Sequence, residues 1–143
     1  MSESPRKRRV RSAWAASWDR GEVDALDELL APGYRRSSPQ ATEAQDRAAF
    51  KRSILATREA FPDLTTAIEE LVEEGDRMAI RWRSTGTHTA TFLDVPPTGR
   101  SVEVSGVVFA DFDGERIAAE WVTWDPRQLL SALGIISLGE GFA

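Results

Sequence analysis

Apolar residues recur at helical spacing in the first half of the chain and alternate in the second. Val10, Trp14 and Trp18 return every four residues, with Ala13 and Ser17 beside them. That spacing predicts an amphipathic helix over residues 6–19, which Gly21 ends. A second helix is predicted over Val23–Leu30, burying Leu26, Leu29 and Leu30, with Pro32-Gly33 as its stop. Tyr34–Ser37 reads as a short strand. A third helix runs from Ala44 to Ala60, with Phe50, Ile54 and Leu55 on one side. Phe61-Pro62-Asp63 ends it, because a residue before proline avoids helical angles.

From Leu64 onward the period changes to two. Leu64–Glu74, Arg77–Thr87, Arg100–Asp111 and Glu115–Trp124 alternate as strands do. Glu74-Gly75-Asp76 and Asp113-Gly114 are hairpin turns between them, and Phe92–Gly99 is a longer loop with two prolines. Helices grouped before an antiparallel meander predict an α+β fold, three helices covering one face of a curved sheet. Met78, Ile80 and Trp82 share one side of their strand, and Val102, Val104 and Val108 one side of the next. Val107, Phe109, Val122 and Trp124 are read as an apolar surplus on the outer face. A homodimer through that face is therefore expected.

The last strand carries the chemistry that stands out. Taken as unbroken alternation, Ile117, Ala119, Trp121, Thr123 and Asp125 share one face. A carboxylate in phase with an indole and small apolar groups is poorly solvated, so a raised pKa is expected. Asp125 is also a good N-cap for a final helix, with Pro126 at its first position. The two roles are compatible.

Composition narrows the possibilities. A chain of 143 residues supports one domain with a workable core. Residues 9–136 are read as that domain, residues 1–8 as a flexible basic arm and residues 137–143 as a tail. No cysteine is present, so disulfides and thiolate chemistry are out, and a single histidine argues against a zinc site. No metal, flavin or nicotinamide is expected, since no glycine-rich phosphate loop opens a helix after a strand. With no apolar run long enough to span a membrane and no signal-peptide core, a cytoplasmic location without membrane contact is expected. Residues 1–11 hold five basic groups against Glu3, a net of +4. That leaves −9 on the rest of a chain whose total is −5. An acidic body repels phosphates, so no nucleic-acid partner is expected and the basic arm reads as a frayed, solvated terminus.

From Phe61 to Leu133 the chain resembles the SnoaL-like polyketide cyclase family of the nuclear-transport-factor-2-like superfamily. The matching pieces are Ala60-Phe61-Pro62-Asp63-Leu64, Glu74-Gly75-Asp76, Met78 to Trp82, and Gly86-Thr87-His88. Phe92, Pro96-Pro97-Thr98-Gly99, Val102 to Gly106, Asp113-Gly114, Ile117, Trp121, Asp125 and Leu129 follow in order. The resemblance implies a cone-shaped α+β barrel around an apolar pocket. It also implies cofactor-free aldol ring closure of the kind used in aromatic polyketide antibiotic biosynthesis, a lyase- or isomerase-type activity. Asp125 falls at the family's acid/base position. The assisting histidine of the cyclases has Asp111 at its place, and the family's glutamate two residues before the tryptophan has Ala119, with Glu120 one residue displaced. The His or Asn that many relatives carry after the Tyr34-like aromatic is replaced by Arg35-Arg36-Ser37-Ser38.

The expected catalytic pair is Asp125 with His88 as a donor to the developing oxyanion, although a lone histidine is also a common structural residue. The expected contacts to a small hydrophobic, up to polycyclic, substrate are Trp82, Trp121, Tyr34, Trp14 and Phe50. Each is also readable as core. Isomerase-like or epoxide-hydrolase-like chemistry, the latter from an Asp111–Arg–Asp125 set, and a non-catalytic ligand-binding or dimerising module are the alternatives.

Overall fold

The computed structural model describes residues 3–136; the tail expected at 137–143 lies outside the described residues. Ser4 starts the first helix, α1 (Pro5–Trp14), by accepting a hydrogen bond from the Lys7 amide, with Pro5 in the first turn. A π-helical turn, Ala15–Asp19, extends it. The chain then reverses at Gly21, whose φ of +74° suits glycine. A 3₁₀ turn (Val23–Ala25) leads into the short α2 (Leu26–Leu29). Strand β1 (Leu30–Ser37) begins four residues earlier than the sequence pattern indicates. Asp46 caps α3 (Arg47–Ala60), which buries Phe50, Ile54 and Ala60, while Leu55 is left exposed.

Four long strands follow: β2 (Thr65–Glu74), β3 (Arg77–Thr87), β4 (Ser101–Asp113) and β5 (Arg116–Trp124). They pair as the expected antiparallel meander. β1 adds to the edge in parallel with β5, giving the order β1-β5-β4-β3-β2. The sheet is open. Its inner face wraps α1 and α3, and α4 (Pro126–Ala132) packs at the β4 end. The result is the α+β cone.

The basic N-terminal segment is not a frayed arm. Residues 5–8 are the first turns of α1, and Arg6 among them, with Arg9 one turn on, holds the hairpin turns. Arg6 donates to Gly75 O (3.1 Å), Asp76 Oδ1 (3.0 Å) and Gly114 O (2.6 Å), and its guanidinium lies 4.7 Å over the Phe112 ring. Arg9 donates to the carbonyls of Glu28 and Glu115. Turn carbonyls and the Asp76 carboxylate attract cations, and Arg6 and Arg9 meet that demand, while Arg8 and Arg11 bond to Glu3.

Register shifts in three strand pairs, the β1–β5 pair between Leu30 and Arg35 among them, set the face each side chain takes. In β2 the register shifts between Ile68 and Glu70, and in the β4–β5 pair between Asp111 and Phe112, where Ala118 is the extra residue. One inserted residue inverts the alternation beyond it. Ile117 therefore points inward, but so do Glu120, Val122 and Trp124. Trp121 is 48% exposed on the outer face. The unbroken row ending in Trp121 and Asp125 does not exist. Val122 and Trp124 leave the outer surplus expected for dimerisation, and Trp121 joins it.

Gly106 shows why β4 carries a glycine mid-strand. It pairs with Trp82 on one side and Trp124 on the other. A Cβ there would lie 2.6 Å from Thr123 O and 2.6 Å from Trp82 Cζ2. The missing side chain is what lets the Trp82 indole lie against the sheet. Trp18, Trp82 and Trp124 each touch both apolar clusters, one under α1 and α3, the other around Phe61, Val104 and Leu129.

Candidate functional site

Where the two clusters meet, helices and sheet leave a cavity of about 390 Å³. Trp14, Trp18 and Phe50 line it from the helical side, and Trp82, Val104 and Trp124 from the sheet. Phe61, Phe92 and Leu93 line it from the corner and loop regions. Hydroxyls and amides of Ser38, Gln45, Ser53, Thr66, Ser84 and Thr85 punctuate the wall. Trp14 is held by an indole N–H bond to Thr66 Oγ1 (2.9 Å), and Asp19 Oδ1 accepts from the same hydroxyl (2.8 Å). The Trp82 indole N–H is buried without an acceptor among the described residues. Of the five residues expected to contact substrate, Trp14, Phe50 and Trp82 line the cavity. Tyr34 lies behind it, fully buried, and Trp121 is on the opposite face of the sheet.

Among the described residues that line the cavity, Arg36 is the ionisable one. It sits on β1 opposite Glu120 of β5, and its backbone is fixed by two 2.8 Å bonds with Gln45. Its Nη1 donates to Glu120 Oε1 (2.8 Å) and lies 3.4 Å from the Tyr34 hydroxyl, and its guanidinium lies 4.0 Å over the Phe50 ring. The Tyr34 hydroxyl donates to the same Glu120 oxygen. Burial, then the Glu120 charge, pushes the Tyr34 phenol well above its ordinary value, so it stays neutral. Burial alone would lower the Arg36 guanidinium, but Tyr34 and Glu120 outweigh it and the net direction is upward. The set is thus a cation, a carboxylate and a neutral phenol sharing one oxygen, with only the cation reaching the main cavity.

Sequence reasoning met Glu120 only as a displaced family glutamate and Arg36 only within a substituted stretch, and gave neither a place in the site. Strand parity counted forward from Ile117 places Glu120 outside. Counted back from Trp124 it falls on the same face as Val122 and Trp124, which is where the structure puts it. Only the bulge reconciles the two counts.

His88 is fully buried but does not line the cavity. Its ring stacks on Phe61 (centroids 5.4 Å apart, planes at 31°), and its Nδ1 accepts from the Thr98 amide (3.2 Å) and meets Thr98 Oγ1 at 3.0 Å. An Nδ1 that accepts from an amide puts the proton of the neutral ring on Nε2. That Nε2 has no partner among the described residues. The His88 amide donates to Arg100 O and the Gly99 amide donates to His88 O, which closes the loop expected at Phe92–Gly99. The residue fastens that loop. Asp63 does similar work at the helix corner, where the Thr87 amide, then its hydroxyl, hold its carboxyl below the ordinary range.

Asp125 is the N-cap of α4, accepting from the Arg127 amide at 2.9 Å. It does not line the cavity, and its side chain is 46% exposed. Arg127 also pairs with it through Nε (3.1 Å) and Nη2 (3.2 Å). That side-chain pairing, then the amide bond, hold the carboxyl below its ordinary value, opposite to the raised value expected from the strand pattern. The expectation failed because the bulge turned the apolar row away from it. Asp111 lies on the outer face, paired with Arg77 at 2.9 Å, so the expected Asp111–Arg–Asp125 set does not surround the cavity.

No curated protein matches the sequence. Solved structures do. A polyketide cyclase proposed for Acidithiobacillus ferrooxidans is 29% identical, with a TM-score of 0.82 over 94% of this chain and 98% of its own. AclR of Streptomyces galilaeus, a proposed hydroxylase, is 27% identical with a TM-score of 0.81, over 94% of this chain and 99% of its own. IdmH of Streptomyces antibioticus, a proposed polyketide cyclase, is 27% identical with a TM-score of 0.78, over 92% and 99%. The model of the SnoaL-like polyketide cyclase family matches residues 8–133, nearly the whole chain, and the protein belongs to that family.

Proposed function

We propose that this protein is a small-molecule enzyme of the polyketide-cyclase type, closing a ring by intramolecular aldol addition within the cavity. The observation that carries the proposal is a 390 Å³ cavity with aromatic walls and scattered neutral polar groups, in a chain of this family. Such a wall folds an apolar chain and aligns two of its carbonyl carbons, which replaces a costly conformational search by a short approach. In the reaction a carbon between two carbonyls loses a proton. The resulting enolate forms a C–C bond to a second carbonyl, and that oxygen takes up a proton to become a hydroxyl. The atoms balance without an oxidant or cofactor. Protons between two carbonyls are already acidic, so a modest base serves.

A second reading, a binding module for small apolar ligands, draws on the same wall. Among its described residues no carboxylate or imidazole lines the cavity. A linear poly-β-ketoester that cyclises slowly by itself separates the two. The enzyme should accelerate ring closure by roughly 100-fold or more, whereas saturable binding with no acceleration would select the binding module. Asp125→Asn belongs in the same assay. As a cap, Asn serves nearly as well as Asp, so the melting temperature should hold within about 4 °C and turnover within about threefold. A roughly 100-fold loss at unchanged melting temperature would instead give Asp125 the acid/base role.

A further inference from the structure

We infer that Arg36 anchors the ligand by pairing with a planar anion that offers two oxygens, a carboxylate or the enolate of a 1,3-dicarbonyl. This deepens the cavity reading above and rests on it. Arg36 has five N–H donors, and its Nη1 is taken by Glu120 and Tyr34. Its Nε and Nη2, with three N–H groups between them, have no acceptor among the described residues. Yet the side chain is only 14% exposed and lies on the cavity wall. Donors of a cation left without a protein acceptor, on a residue that lines a largely apolar cavity, favour an anionic ligand group there.

The geometry presents those donors firmly. The β1 backbone at Arg36 is held from one side by Gln45 and from the other by the ladder to β5. Glu120 grips one nitrogen, and the Phe50 ring supports the guanidinium plane. What remains is the edge a planar two-oxygen anion fits by parallel hydrogen bonds. Glu120 and Tyr34 are positioning residues. They keep the cation in place, while the Glu120 charge competes with an incoming anion for it.

The test uses an isosteric pair, 2-naphthoate and 2-naphthamide, with binding read by quenching of the cavity tryptophans. The wild-type protein should prefer the carboxylate by roughly tenfold or more. Arg36→Gln should abolish the preference by weakening naphthoate alone. Glu120→Gln keeps an acceptor for Tyr34 and removes the competing charge, so naphthoate should tighten several-fold while naphthamide is unchanged. That arm holds even where Arg36→Gln fails to fold. Benzoylacetone distinguishes the enolate. Its enolate absorption should appear at lower pH when bound to wild type than in free solution, and not when bound to Arg36→Gln. A shift of the enolate without carboxylate preference assigns the enolate alone, and the reverse assigns a carboxylate. Equal affinity for naphthoate and naphthamide together with an unshifted benzoylacetone spectrum would overturn the anchor while leaving the cavity as a ligand site. Failure of every probe to bind would overturn the cavity reading itself.

Discussion

Tyr34 shows how much one residue's environment changes its chemistry. It is the chain's single tyrosine and fully buried, and its hydroxyl donates to Glu120. An ordinary phenol ionises near pH 10; this one is pushed higher, first by burial and then by the neighbouring carboxylate. The sign for stability follows. Below about pH 10 the phenol is neutral in folded and unfolded chains alike, and its contribution is intact. As pH rises past that value the unfolded chain loses the proton and the folded one keeps it, so stability is lost. An alkaline titration should therefore show the tyrosinate band appearing together with loss of the near-ultraviolet circular dichroism, not before it. A tyrosinate signal that grows at about pH 10 in a protein with a native spectrum would contradict the buried Tyr34–Glu120 bond.

At the scale of elements, β4 and β5 decide the cavity. The bulge at Ala118 delivers Glu120, Val122 and Trp124 to the inside, and Gly106 gives Trp82 room to lie beside them. Gly106→Ala would push a methyl into a strand carbonyl and an indole at once. Backbone cannot yield as a flexible side chain does, so destabilisation of about 2 kcal/mol or more is expected, with weaker binding of aromatic ligands. Gly33→Ala is the control. Nothing lies within 4 Å of its added carbon and its φ is not positive, so no destabilisation is expected there, and a gain of up to about 1 kcal/mol is allowed. Urea denaturation of the two variants makes the comparison, and equal midpoints would remove the steric account of Gly106.

At the scale of the molecule, the outer sheet face carries an exposed apolar row among ion pairs. Val72, Phe109 and Trp121 are 54%, 46% and 48% exposed. They align across the sheet, since Val72 pairs with Ala79, Ala79 with Phe109, and Phe109 with Trp121. Ion pairs Arg81–Glu70 and Arg77–Asp111 flank the row. A homodimer through this row is the expected assembly, with the interface shifted from the Val122 and Trp124 of the sequence pattern to Trp121. Light scattering at micromolar concentration should give twice the chain mass, and Trp121→Glu should give one. A monomeric wild type would reject the interface. Among the described residues no helix is long and apolar enough to cross a membrane.

The sequence by itself determined the order of elements, the hairpin turns and the cap of the last helix. These depend on local rules: period, glycine and proline placement, and an acceptor before a free amide. Asp125-Pro126 is a helix start wherever it falls, and Glu74-Gly75-Asp76 is a turn for the same reason. Parity along β5 was decided by tertiary structure, because a bulge costs one residue of register and leaves no local mark in Ile117-Ala-Ala-Glu-Trp121. That single residue moved Trp121 out and Glu120 in. It also left Asp125 at the helix cap with Arg127. Pairing of β1 with β5 then brought Arg36 and Tyr34 to Glu120 across more than 80 positions of chain. The basic residues at the N-terminus met the same fate, since what a charge does depends on which turn carbonyls the fold carries to it.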